Sequence, residues 1–176
     1  MTCIVGIAHN GKVFIGGDSA GVGGYNLNVR ADKKVFRNGE FVMGFTSSFR
    51  MGNLLQHSLE PPRWHPDDDI HKFMVKDFVD AVRSCLKTGG YATKENDGES
   101  GGTFLVGFKG RLFVVDSDYQ VGENVDGFAS VGCGEDIALG SMYTSKGSPK
   151  GRVLTALAAA ERFSAGVRAP FHVEVA

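Results

Sequence analysis

A threonine stands second in the chain, behind Met1, and opens the apolar run Thr2-Cys3-Ile4-Val5-Gly6-Ile7. Once Met1 is removed, Thr2 carries a hydroxyl and a free α-amine on one residue. An ordinary threonine hydroxyl is a poor nucleophile, and an adjacent amine can serve as its general base without a separate histidine. The chemistry on offer is nucleophilic attack on a carbonyl. Small second residues permit methionine removal in many proteins, so Thr2 alone does not identify an enzyme.

The other reactive side chains point to less. Cys3, Cys85 and Cys133 are an odd number without metal-ligand spacing, which fits small buried residues in a reducing compartment better than a disulfide framework. Of His9, His57, His65, His71 and His172, only His65 and His71 stand close together, around an acidic stretch, and they do not make a zinc pattern. Asp67-Asp68-Asp69 reads as a helix cap at the positive end of a dipole rather than as a cation site. Gly21, Gly23 and Gly24 lack the strand-to-helix context of a phosphate loop, so any ATP use would belong to a partner.

The elements that must position these residues alternate between hairpins and helices. Thr2 to Ala8 and Val13 to Asp18 flank a His9-Asn10-Gly11-Lys12 turn, the strongest short-range hairpin cue. A loop is expected at Gly21 to Gly24, followed by a strand Lys34 to Arg37, a turn at Asn38-Gly39 and a strand Glu40 to Phe45. Helices are expected from Ser48 toward His57, before Glu60-Pro61-Pro62, and over Ile70 to Cys85, where apolar residues recur every three or four positions. Lys87 to Gly102 reads as a polar loop, partly a mobile lid. Beyond it come strands Thr103 to Phe108 and Leu112 to Asp116, joined at Lys109-Gly110, and a strand Phe128 to Val131. The chain then reads as a helix Glu135 to Thr144, a second helix Lys150 to Phe163 behind Ser148-Pro149, and a closing strand Phe171 to Val175. Segregated runs of this kind give two stacked antiparallel sheets with helices outside: an α+β fold, a four-layer αββα sandwich.

The whole chain bounds the partners. Its 176 residues suit a single domain, 1–176, able to bury roughly 70% of the surface the unfolded chain exposes. With 19 basic and 20 acidic residues, a net charge of −1 and no dense Lys/Arg block, no nucleic-acid footprint is present. No run reaches the ~20 apolar residues of a membrane span, and a soluble, cytoplasmic protein is expected.

Thr2-Cys3-Ile4-Val5-Gly6, the Asn10-Gly11 turn, Ile15-Gly16-Gly17-Asp18 and Asp32-Lys33-Lys34-Val35 together resemble the β-type subunits of the proteasome, and most closely the HslV peptidases, within the N-terminal-nucleophile (Ntn) hydrolases. The resemblance covers nearly the whole length. It implies Thr2 as nucleophile, Asp18 as the buried carboxylate and Lys34 as the lysine between them. A charged lysine beside the hydroxyl favours loss of its proton, provided a carboxylate holds that lysine in place. Gly44-Phe45-Thr46-Ser47-Ser48 resembles the family's glycine-containing turn, which makes the amide of Ser47 the oxyanion donor, with Ser where the family usually has Gly. Gly132-Cys133-Gly134 resembles a Gly-Ser-Gly segment near the threonine amine, with Cys133 at the serine position, and a thiol is the weaker hydrogen-bonding group. Glu161-Arg162-Phe163-Ser164 resembles the exit of the last long helix, so Glu161 and Ser164 are expected to help position Lys34 and the amine. By the same analogy Ala158, Glu161 and Ser164 could hold a structural monovalent or divalent cation, and no cofactor is required.

The resemblance implies a threonine-type endopeptidase that cleaves polypeptide substrates inside a homo-oligomeric ring, served by an ATP-dependent unfoldase. Three alternatives stay open: a small-molecule amidase on the same scaffold, a non-catalytic ring subunit, and a binding module unrelated to hydrolysis. Retention of Thr2, Asp18 and Lys34 favours catalysis, whereas Cys133 leans toward the non-catalytic subunit.

Overall fold

The computed structural model of the chain describes residues 1–95 and 97–176. Its first third is built of hairpins. β1 (Ile4–His9) pairs antiparallel with β2 (Lys12–Gly17) across Asn10 and Gly11, whose φ of 49° and 73° are the left-handed pair that a tight hairpin turn demands. The expected loop at Gly21 to Gly24 is instead a second hairpin, β3 (Ala20–Gly23) with β4 (Asn26–Val29). All four residues of β4 are exposed, so no buried face marks it in the sequence. β5 (Val35–Asn38) and β6 (Phe41–Phe45) follow as expected.

Helix α1 (Phe49–His57) starts on Ser48, whose hydroxyl accepts from the Arg50 amide at 3.0 Å. α2 (Ile70–Phe73) starts on Asp69, whose carboxylate accepts from the Lys72 amide at 2.7 Å, which bears out the expected acidic cap. A π-helical turn, Met74–Phe78, links α2 to α3 (Val79–Thr88), so the expected helix runs slightly longer than its apolar pattern. The segment read as a loop over 87–102 carries a small hairpin, β7 (Thr93–Glu95) with β8 (Gly98–Ser100). Residue 96, part of that expected lid, lies outside the described residues.

β9 (Phe104–Phe108), β10 (Arg111–Val115), β11 (Val121–Gly122) and β12 (Phe128–Val131) precede α4 (Glu135–Thr144), α5 (Pro149–Phe163) and β13 (His172–Val175). α5 has Pro149 in its first turn, and the Ser148 hydroxyl accepts from the Gly151 amide at 3.2 Å.

Strand alternation sorts the core into three layers of contact. One sheet has the order β12-β1-β2-β13 and the other β11-β10-β9-β6-β5. Along β6, Phe41, Met43 and Phe45 face α1, α2 and α3, while Val42 turns inward to the first sheet. Phe104, Val106 and Phe108 of β9 face the helices in the same way, and Leu105 faces inward. On the first sheet, Ile4, Val13 and Ile15 meet the second sheet, and Val5 and Ile7 meet Ala156, Leu157 and Ala160 of α5. The result is helices, sheet, sheet, helices: the expected αββα sandwich of an Ntn hydrolase fold.

Candidate active site

Register brings the site together. Ile4 pairs with Gly17, so Cys3 and Thr2 at the start of β1 lie beside Asp18 at the end of β2. The Cys3 amide donates to Asp18 Oδ1 at 3.0 Å, and the Asp18 amide returns a bond to the Cys3 carbonyl at 3.3 Å. Asp18 Oδ2 accepts from the Ala20 amide at 2.8 Å and from the Arg168 amide at 3.2 Å. With three backbone donors fixed on it, this buried carboxylate has no freedom to turn away.

Lys34 stands just before β5 and reaches under the sheet edge. Its Nζ donates to Asp18 Oδ1 and to Thr2 Oγ1, each at 2.9 Å. Lys34 and Asp18 are each 1% exposed and Thr2 5%, so the chain of three runs through protein rather than water. Burial pushes the Lys34 ammonium below the ordinary lysine range, and the charge of Asp18 and its hydrogen bond oppose that loss. The lysine is therefore a charged donor only as far as Asp18 sustains it.

Thr2 is held with Met1 still attached. Its nitrogen is an amide here, occupying the position that a free amine would take, and it donates to Cys133 Sγ at 3.3 Å. Thr2 Oγ1 donates to the Met1 carbonyl at 2.5 Å. Cys133 Sγ in turn approaches the Thr2 carbonyl at 3.4 Å and accepts from Ser164 Oγ at 3.5 Å. Gly132 makes this approach feasible: with φ at 103°, a Cβ there would lie 2.4 Å from the Thr2 carbonyl oxygen. The thiol thus occupies a hydrogen-bonding place between Thr2 and Ser164. Cys3, by contrast, is buried, and burial pushes its thiol up to about 12.

Ser47 sits with φ at 65°, the left-handed conformation for which glycine is the usual residue. Its hydroxyl accepts from the Thr103 amide at 3.0 Å, a bond that only a side chain can make and that offsets part of the backbone strain. No protein acceptor engages the Ser47 amide among the described residues. Thr2, Thr46, Ser47 and Ser48 border one small cleft.

Glu161 lies differently from expectation. Its Oε1 accepts from the Ala169 amide at 2.9 Å and lies 4.0 Å from the Arg168 guanidinium, and it bonds neither Lys34 nor Thr2. The last turn of α5 aims it at segment 168–169, whose Arg168 amide reaches Asp18, so Glu161 acts two contacts away from Lys34. Ser164 touches the Thr2 nitrogen only through Cys133.

Ala158, Glu161 and Ser164 do line one open hollow. Arg162 and Arg168 line it too, Glu161 is already engaged, and the Ser164 carbonyl accepts from Val167 at 3.3 Å. Two arginines around so few free oxygens do not suit a cation. Among the described residues no group of three His, Cys, Asp or Glu side chains could hold a metal ion, and no helix is long and apolar enough to cross a membrane.

Three neighbours of the site escape sequence reasoning. Arg168 contributes a backbone amide, which no side-chain pattern reveals. Phe49, at the start of α1, forms a wall of the cleft beside Thr2, and the Arg30 guanidinium lies 4.2 Å from the centre of its ring. Phe49 could have been found only as the first apolar residue after the Thr46-Ser47-Ser48 turn.

No protein-family model and no curated protein matches the chain. Solved structures do match, over nearly its full length. Thiobacillus denitrificans BPH superimposes with a TM-score of 0.81 at 21% identity, covering 99% of this chain and 97% of that one. BPH in complex with epoxomicin gives 0.79 at 20% identity, over 99% and 97% of the two chains. Eukaryotic HslV from Trypanosoma brucei gives 0.70 at 17% identity, over 98% of each chain. At these identities the likeness establishes the fold, that of HslV and its proteasome-like relatives.

Proposed function

We propose that this chain is a threonine-type endopeptidase, with Thr2 as nucleophile after Met1 is removed. The observation that carries the reading is the buried line Thr2 Oγ1, Lys34 Nζ, Asp18 Oδ1, with 2.9 Å at each link. A hydroxyl in contact with a buried ammonium is poised to lose its proton, and Cys133, with Ser164 beyond it, lies at the Thr2 nitrogen.

With Met1 gone, the Thr2 amine, directly or through a water, takes the hydroxyl proton as Oγ1 bonds to the substrate carbonyl carbon. The carbonyl electrons move to oxygen, which the Ser47 amide stabilises. Collapse of that adduct breaks the C–N bond, the Thr2 ammonium protonates the departing amine, and an ester on Oγ1 remains. Water, deprotonated by the same amine, then hydrolyses the ester and restores the hydroxyl. Lys34 stays a donor throughout, Asp18 holds it, and Cys133 and Ser164 orient the amine. Glu161 supports Asp18 through segment 168–169. The form with Met1 attached has an amide in place of the amine and is inactive.

Polypeptide substrates, a cytoplasmic homo-oligomeric ring of single-domain subunits, and an ATP-dependent unfoldase as partner follow from the same reading. It is supported by the fold shared with HslV and with BPH, whose structure was also solved with epoxomicin. The test is hydrolysis of a fluorogenic peptide by protein whose intact mass shows that Met1 is gone. Thr2→Ala is expected to abolish turnover with the fold intact, and Lys34→Ala to lower it by about 10²–10⁴-fold, the range of a lost proton-transfer aid. Turnover that survives Thr2→Ala overturns the assignment.

A further inference from the structure

The space beside Thr2 limits what can be cleaved. It is a cleft of about 80 Å³ whose inner walls are Val22, Phe45 and Phe49, with Thr46, Ser47 and Ser48 along one side. A carbonyl held between Thr2 Oγ1 and the Ser47 amide has its own α-carbon over this cleft, so the side chain on the acyl side of the cleaved bond must enter it. Such a volume takes about five water-sized groups, counting ~15 Å³ for each. Alanine, serine, threonine and valine side chains fit; the six-membered ring of phenylalanine or tyrosine does not.

The walls cannot retreat. Phe45 is 4% exposed and packs against Gly52, where even a Cβ would come within 2.3 Å of its ring. Phe49 stands edge-on to Phe45, with centroids 5.7 Å apart and planes at 81°. The Arg30 guanidinium, 4.2 Å from the Phe49 centroid, is itself fixed by Asp32 through bonds of 2.7 and 2.8 Å. Lys34 Nζ approaches the same ring at 5.7 Å. Phe49 thus has two cations near its ring, each already paired with a carboxylate, Asp32 and Asp18. Among the described residues that line the cleft, none carries a charged side chain that could select one in a substrate. Met1 also borders the cleft, so its removal adds space on that side.

Resting on the reading of Thr2 as nucleophile, we infer that Phe49 makes this peptidase selective for bonds that follow a small, neutral residue. The measurement is kcat/KM for fluorogenic peptides that differ only in that residue: Ala, Val, Phe, Glu or Arg. In the wild type, Ala or Val is expected to exceed Phe, Glu and Arg by at least about tenfold, which corresponds to ~1.4 kcal/mol in the transition state. Phe49→Ala is expected to raise kcat/KM for the Phe substrate relative to the Ala substrate by about tenfold or more. Phe49→Val serves the same purpose if the alanine variant does not fold, and the wild-type ratio stands without either. Equal turnover of the Ala and Phe substrates, or a ratio unmoved by enlarging the wall, overturns this inference and leaves Thr2 as nucleophile. No turnover of any peptide by Met1-free protein, with no epoxomicin adduct in its mass spectrum, removes the parent reading and this one with it.

Discussion

Two thiols flank Thr2 and differ in what surrounds them. Cys133 is exposed and hydrogen-bonded at the Thr2 nitrogen, whereas Cys3 is buried behind it with its thiol pushed up to about 12. Iodoacetamide near pH 8 is therefore expected to label Cys133 in the native protein and Cys3 only after unfolding. Because the folded value of Cys3 lies above its ordinary 9.0, the stability it contributes is fully present below pH 9 and is lost as pH rises toward about 12. Lys34 runs the other way: its folded value lies below 10.5, so its contribution is present above 10.5 and is lost as pH falls through that depressed value. Urea midpoints of wild type and Cys3→Ala cancel the Lys34 effect, and their difference should shrink between about pH 8 and pH 10.5. A difference that stays constant contradicts the assignment. At this scale Thr2, Asp18 and Lys34 were legible through the family resemblance, and the β1–β2 register brings Thr2 beside Asp18 while Lys34 bonds both. Glu161, expected to help position Lys34, reaches it only through segment 168–169 and Asp18, because the direction of a side chain at a helix exit depends on tertiary contacts.

At the scale of elements, the turn between β6 and α1 carries both the proposed oxyanion donor, Ser47, and the wall of the cleft, Phe49. Ser47 holds φ at 65° at a cost of about 1–2 kcal/mol, partly returned by its bond to the Thr103 amide, worth about 1 kcal/mol. Ser47→Gly is thus expected to change stability by less than about 1 kcal/mol and to keep peptide turnover. Ser47→Val, β-branched in a left-handed conformation, should cost about 2 kcal/mol or more and lower kcat more than it raises KM. Thermal melts and steady-state kinetics on the two variants decide this, and equal behaviour of Gly and Val would remove the turn from the account. The Asn-Gly hairpins and the αββα order were readable because turn chemistry and alternation are local. The β3–β4 hairpin was not, since a ribbon exposed along all of β4 has no buried face to impose alternation. The π-helical turn was hidden for a related reason: Phe73, Met74 and Phe78 are buried whether one extra residue is inserted or not.

For the whole molecule, the three layers of core leave several large apolar side chains in solvent: Met1, then Tyr25, Leu27 and Val29 together on the β3–β4 ribbon, Val75 in the π-helical turn, Val125 before β12, Tyr143 on α4 and Phe163 at the end of α5. The proposed ring predicts that some of them become covered. Light scattering on purified protein should give a mass of several chains, and charged substitutions at Tyr25 or Phe163 that lie in a contact should lower that mass without unfolding the subunit. A stable monomer with full peptide activity would favour a free amidase over a ring peptidase. The central claim is narrower than assembly: the buried Lys34 and Asp18 serve a threonine whose amine must be free. Its most direct measurement compares peptide hydrolysis by two preparations of known intact mass, one lacking Met1 and one retaining it. The account predicts turnover by the Met1-free protein alone, and equal turnover by both would contradict it.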